Sequence, residues 1–217
     1  MRFETVLDRL ASLPDPLPAP PRAIDPVVIG RSDQLPAWVR ESAGASPRDA
    51  AVLVLIYPAS DGAAHLVLME RPSGDLRHAG QISFPGGAMD PGDDFPIGTA
   101  LREAAEEVGL DPEAAGVRIL GVLDSVDVRV SGFALVPVLA VAEREPALVA
   151  DEREVASILL APLRHFLPDA PIEIVEAQRD GWRLRYGAYV VGDHQIWGAT
   201  ARVLGQLGAV LGPAAPD

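Results

Sequence analysis

The sequence predicts an α/β fold, a mixed β-sheet sandwiched between helices, and three observations predict it. Short runs rich in β-branched and other apolar residues stand on both sides of one amphipathic segment, TALREAAEEV at residues 99–108. That segment has helical periodicity. Further stretches with helical spacing lie near both ends of the chain, whose 217 residues suit one domain with a sizeable core.

Taken in order, residues 3–13 place Phe3, Val6, Leu7 and Leu10 at helical spacing, and Pro14, Pro16, Pro18, Pro20 and Pro21 then stop any helix. Residues 51–57 (AVLVLIY) and 65–71 (HLVLMER) read as an antiparallel pair joined by the turn PASDG. Residues 81–84 (QISF) form a third short strand that ends at Pro85-Gly86-Gly87, and a polar loop with Asp90, Pro91, Gly92, Asp93 and Asp94 follows. The next helix has Pro96 in its first turn, acidic residues just ahead of it and Gly109 as its stop. Residues 117–123 and 134–142 read as strands, 172–175 and 182–186 as a hairpin around Gly181, and 195–211 as a closing helix.

Composition narrows the function. With 48% hydrophobic and 23% charged residues the chain reads as globular. Acidic residues outnumber basic ones 31 to 18, and the net charge of −13 repels a nucleic-acid backbone or an anionic membrane. Aromatic residues, at 5%, are too few for stacking along a single strand. The absence of Cys removes disulfides, thiol nucleophiles and cysteine-ligated metal sites. All 18 basic residues are Arg, which removes a P-loop lysine, a Schiff-base lysine and a Ser–Lys pair. The N-terminus has no continuous apolar segment of the signal-peptide kind, and runs such as 134–142 are about half a membrane span, so a cytoplasmic location is expected.

On a helical wheel Glu103, Glu106 and Glu107 fall within an arc of roughly 100°, opposite Leu101, Ala104, Ala105 and Val108. Like charges one turn apart cost a few tenths of a kcal/mol per pair, so this face calls for a cation. Arg102 reaches Glu106 at i,i+4, which leaves Glu103 and Glu107 able to take a divalent ion together. Hard oxygen donors with no Cys or His beside them point to Mg²⁺ or Mn²⁺. A solvated acidic helix face is the alternative. His65, His165 and His194 lack metal-ligand spacing and read as structural.

The stretch from Phe84-Pro85-Gly86-Gly87 to Arg102-Glu103-Ala104-Ala105-Glu106-Glu107-Val108-Gly109-Leu110 resembles the Nudix box, whose helical half is R-E-U-x-E-E-x-G-U with U apolar. That half is complete. The loop half is one residue longer, so counting back from Arg102 puts Ala88 at the glycine position and Asp94 at the glutamate position. Either Asp93 or Asp94 is left for the glutamate's role. Leu68-Met69-Glu70-Arg71, His78-Ala79-Gly80-Gln81-Ile82-Ser83-Phe84-Pro85-Gly86-Gly87-Ala88-Met89-Asp90-Pro91 and Ile196-Trp197-Gly198-Ala199-Thr200-Ala201 are similar to segments of the coenzyme A pyrophosphatase branch of that superfamily. Its usual arginine two residues before the histidine is Leu76 here, with Arg77 adjacent.

The resemblance implies a Nudix-like α/β/α sandwich with a mixed β-sheet over residues 46–211, after an N-terminal helix and Pro-rich extension (1–45) and before a flexible tail (212–217). It implies a metal-dependent pyrophosphohydrolase that cleaves coenzyme A, or acyl-coenzyme A, to 3′,5′-ADP and 4′-phosphopantetheine or its acyl form. The alternatives are hydrolysis of ADP-ribose, NADH or an oxidised nucleotide, and a non-catalytic nucleotide sensor. Metal binding by Mg²⁺ or Mn²⁺ falls to Glu103 and Glu107, then Glu106 and the Gly87 carbonyl. Glu106 also counts among the catalytic residues, Arg102 orients the carboxylates, and Glu154, in the acidic run Asp151-Glu152-Arg153-Glu154, is the candidate general base. Arg71, Arg77 and His78 are the candidates for holding substrate phosphates, although Arg71 could equally be a salt-bridge partner and His78 a structural residue. The expected partner is a small molecule, without nucleic acid or membrane, and a homodimer is left open.

Overall fold

The apolar run AVLVLIY forms the middle of strand β2 (Arg48–Pro58), and its unbroken hydrophobicity has a simple cause: alternate side chains enter two different cores. Ala51, Leu53, Leu55 and Tyr57 point to one side of the sheet, and Val52, Val54 and Ile56 to the other. A strand buried on both faces is the centre of a layered fold. A computed structural model describes residues 1–30, 47–73, 80–128, 131–179 and 182–213.

Around β2 the remaining elements are helix α1 (Phe3–Leu10), β1 (Val27–Gly30), β3 (Ala64–Glu70), β4 (Ile82–Ser83), β5 (Gly86–Ala88) and helix α2 (Ile97–Val108). They continue with α3 (Pro112–Ala115), β6 (Val117–Val122), β7 (Val126–Val128), β8 (Phe133–Ala142), β9 (Ser157–Pro162), β10 (Glu173–Arg179), β11 (Trp182–Val191), β12 (His194–Ile196) and α4 (Gly198–Leu211). The larger sheet runs β4-β3-β2-β8-β6, with β5 on β2, β7 on β8 and β9 on β3. β2 and β8 are parallel while β2 pairs β3 and β5 antiparallel, so the sheet is mixed, as the sequence predicts. β5 takes residues 50–52 of the edge of β2 whose later residues 56–58 pair β3. A second, antiparallel sheet joins β10, β11 and β12 from late in the chain to β1, which precedes the larger sheet, where the sequence predicts only a hairpin.

One core lies between the larger sheet and α2, with Ala100, Ala104 and Val108 against Leu53, Leu55, Val67, Met69, Val138 and Ala140. The other lies on the opposite face and gathers Val6 and Leu10 of α1, Leu204, Leu207 and Leu211 of α4, and Tyr189, Val191 and Ile196 of the second sheet. Helices therefore cover both faces, and the order is α/β/α. The N-terminal helix belongs to this second core, and Arg9 donates from its guanidinium to the Leu211 carbonyl at the end of α4.

The closing helix starts at Gly198, not at 195, because residues 194–196 pair with β11 as β12. The predicted turn at Gly181 and residues 214–217 of the predicted tail lie outside the described residues. Among the described residues no helix is long and apolar enough to cross a membrane.

Gly208 shows how tightly α4 sits. A Cβ there would overlap the Phe166 carbonyl oxygen, so alanine's helix propensity, about 1 kcal/mol better than glycine's, is set against a backbone collision that costs about 1–3 kcal/mol or more. The collision is expected to win. Gly208→Ala should lower Tm by about 4 °C in thermal denaturation, and an unchanged or raised Tm would contradict this packing.

Candidate active site

Helix α2 ends at Gly109, which is left-handed with φ 64°, and it carries its acidic residues toward the turn at β5. The wheel groups Glu103, Glu106 and Glu107 as one face, but the structure grades them. Glu107 is 2% exposed, Glu103 15% and Glu106 60%, while Ala105 is exposed rather than buried. The cause is β5, which lies over the helix side bearing Glu103 and Glu107. The solvated-face alternative therefore fails for those two.

Two glycines make the approach feasible. Gly86 has φ 151°, and a Cβ on it would collide with the Ala51 carbonyl of β2; its N–H donates to Glu107 Oε2 at 2.7 Å. A Cβ on Gly87 would come within 2.6 Å of Glu103 Oε2. The Gly-Gly pair thus lets the backbone of the turn and both carboxylates share one small space.

Arg102 is the hub of the neighbouring charges. Its Nε and Nη2 donate to the two Asp93 oxygens at 3.2 and 3.0 Å, its Nη1 to Glu103 Oε1 at 2.9 Å and Glu106 Oε2 at 3.0 Å, and Nη2 also to the Ala88 carbonyl at 3.1 Å. Asp93 additionally accepts from Thr99 Oγ1 at 2.8 Å and from the Asp90 N–H at 3.0 Å. These bonds, with Arg102 foremost, hold the Asp93 carboxyl well below the usual carboxylate range. Of the two aspartates left open by the longer loop, Asp93 is the one that meets Arg102. The sequence contained a signal for this, the one-residue lengthening, but not which aspartate would absorb it.

Burial works in the opposite direction on the helix. It pushes the Glu107 carboxyl from 4.5 up to about 7, against the Gly86 N–H and Arg71, with the charges of Glu103 and Glu154 adding to the rise. Burial also raises Glu103 despite its bond to Arg102, again with Glu106 and Glu154 adding. Keeping Glu107 ionised in this place costs roughly 3 kcal/mol. Arg71 at the end of β3 brings Nη1 to 3.8 Å from Glu107 Oε1 and stays partly exposed, so it is a salt-bridge partner that also faces outward. Glu154 is exposed, and its charge reaches both Glu103 and Glu107. Arg77 and His78 lie outside the described residues.

Among the described residues no three carboxylates or imidazoles converge closely enough to form a metal cage as they stand, because Glu103 turns to Arg102 and Glu107 to the Gly86 amide. The donor chemistry still fits a hard divalent cation. Two oxygen-only side chains, both resisting ionisation through burial, sit at a glycine turn whose backbone a side chain would otherwise fill.

Residues 47–178 match the family model described as NUDIX domain. The chain belongs to the Nudix family. It is 37% identical over 166 residues to a protein named "Uncharacterized Nudix hydrolase NudL" from Enterobacter sp. (strain 638), covering 76% of this chain and 83% of that one. Its counterpart of the same name in Pectobacterium atrosepticum is 39% identical over 163 residues, covering 74% and 81%. Among solved structures, the Nudix hydrolase RenU from M. smegmatis aligns with a TM-score of 0.46 at 26% identity over 54% of this chain and 71% of its own. A MutT/nudix family protein from Enterococcus faecalis aligns at 0.49 and 16% identity over 80% and 63%. Nudix hydrolases as a family use divalent metal ions and act on small nucleotide substrates.

The raised Glu107 carboxyl sets a pH dependence. The folded state holds this proton more tightly than the unfolded chain, so the group's contribution to stability is complete below about 4.5 and is lost as pH rises through about 7. In chelator-treated protein, urea titrations between about pH 5 and pH 8 should show wild type losing roughly 2–3 kcal/mol more than Glu107→Gln. Equal slopes for the two proteins would refute the burial assigned to Glu107.

Proposed function

We propose that this Nudix protein is a divalent-metal-dependent pyrophosphohydrolase of coenzyme A and acyl-coenzyme A, releasing 3′,5′-ADP and 4′-phosphopantetheine or its acyl form. The observation that carries the reading is a junction. The segment that resembles the coenzyme A branch runs without a break into the Gly86-Gly87 turn, and that turn receives Glu107 and Glu103 of the box helix.

Glu103 and Glu107, with Glu106 and the Gly87 carbonyl, would hold Mg²⁺ or Mn²⁺, which when bound supplies neutralisation of phosphate charge and acidification of water. Arg102 keeps Glu103 and Glu106 aimed from one side while Asp93 fixes Arg102 from the other. Glu154 accepts the proton of the attacking water, whose oxygen bonds to one phosphorus as the bridging P–O bond breaks. Arg71, with Arg77 and His78 of the signature, answers the phosphate charge that an otherwise acidic chain would repel.

Chromatography of products from coenzyme A, ADP-ribose and NADH, with and without Mg²⁺ or Mn²⁺, tests the reading. Metal-dependent release of 3′,5′-ADP is expected. Faster cleavage of ADP-ribose or NADH would remove the substrate assignment and leave the reaction class, whereas inactivity on all three would favour a nucleotide sensor. Glu107→Gln should lower kcat by about a thousandfold while the circular dichroism spectrum is unchanged; near-normal turnover at saturating Mg²⁺ would sink the metal-ligand role.

A further inference from the structure

Residues 149–156, between β8 and β9, pass against the C-terminal end of α2 and are tied at both ends. The Val149 and Asp151 N–H groups donate to the Val108 and Glu107 carbonyls, each at 2.9 Å, satisfying two acceptors that a helix end leaves free. The Asp151 carbonyl in turn accepts the N–H groups of Glu154 at 2.9 Å and Val155 at 2.8 Å. Its carboxylate accepts the Arg153 N–H at 3.0 Å and grips the Arg153 guanidinium through Nε at 3.0 Å and Nη2 at 2.6 Å. Downstream, Val155 is buried, the Ala156 N–H donates to the Glu70 carbonyl at 2.8 Å, and Ser157 Oγ donates to Glu70 Oε2 at 2.9 Å.

Glu154 thus sits between one anchor on Glu107 itself and another on the end of β3. Asp151 uses every polar group it has to shape that turn. The Arg153 side chain is 86% exposed, and an ion pair so open to solvent does little for global stability. What the pair does is fix a turn, and the turn carries a carboxylate whose charge reaches Glu103 and Glu107.

We propose that Asp151 is a positioning residue for the hydrolysis: its backbone bond to Glu107 and its clasp of Arg153 set where the Glu154 carboxylate stands relative to the Glu103–Glu107 pair. The inference rests on Glu154 as the proton acceptor. A displacement of about 1 Å in a reacting group can cost about a hundredfold in rate, so a turn of this kind has leverage on turnover without touching substrate.

The test is a mutant cycle on whichever of coenzyme A, ADP-ribose and NADH the wild type cleaves fastest at saturating Mg²⁺. Asp151→Ala is expected to lower kcat by about 10- to 100-fold with KM and Tm little changed, Arg153→Ala to lower it less, and Asp151→Asn to recover part of the loss by keeping one acceptor oxygen. In a Glu154→Gln background, Asp151→Ala should cost almost nothing more. An equal cost in both backgrounds would overturn the positioning role and leave Glu154 as the base. If Asp151→Ala fails to fold, Arg153→Ala carries the same cycle, because its exposed side chain is not needed for the fold. A Glu154→Gln enzyme with near wild-type kcat would remove the base and the positioning role together, as would a wild type silent on all three substrates.

Discussion

A carboxylate buried at the end of a helix, held by one backbone amide and one distant guanidinium, is the constraint around which this site is arranged. Glu107 loses its water, gains the Gly86 N–H at 2.7 Å and Arg71 at 3.8 Å, and still resists ionisation up to about pH 7. Two features of the fold follow from that position. The turn above it must be Gly-Gly, since side chains there would strike β2 and Glu103. The helix end below it must be covered, and Val149 and Asp151 cover it.

The charges around Glu107 divide into two groups with different tasks. Asp93, Asp90 and Thr99 act with Arg102 to brace the long loop against the helix, and this group is stable as it stands because each charge has an opposite or a donor beside it. The charges of Glu103 and Glu154 add to the rise of the Glu107 carboxyl, those of Glu106 and Glu154 to the rise of Glu103, and Arg102 does not fully offset them. A site with surplus negative potential inside a chain of net charge −13 suits a divalent cation that then meets phosphate.

Much of the fold was legible because periodicity reports burial. β2, β3, β8 and α2 carry their period in sequence, and the structure has them within a few residues of the expected bounds. β5 and β9 were not legible: Gly86-Gly87-Ala88 has no strand-forming side chain, and SILLAP becomes a strand only because β3 offers an edge to it. At the site, the spacing of Glu103 and Glu107 put both on one helix face, but a helical wheel cannot say which member of an acidic arc a distant turn will cover. The partners of Asp93 and Asp151 escaped for a related reason, since they are set by loop length and by the helix end rather than by local pattern. Arg71 was legible as a cation near the site and not as a partner of Glu107.

The most direct measurement is a calorimetric titration of Mn²⁺ into wild type, Glu103→Gln and Glu107→Gln at about pH 6, repeated in two buffers of different ionisation enthalpy. If the two buried carboxylates hold the ion together, wild type binds Mn²⁺ with release of a proton, and each glutamine variant binds at least about tenfold more weakly with less proton release. Mn²⁺ binding of equal affinity in all three proteins would contradict the account at its centre.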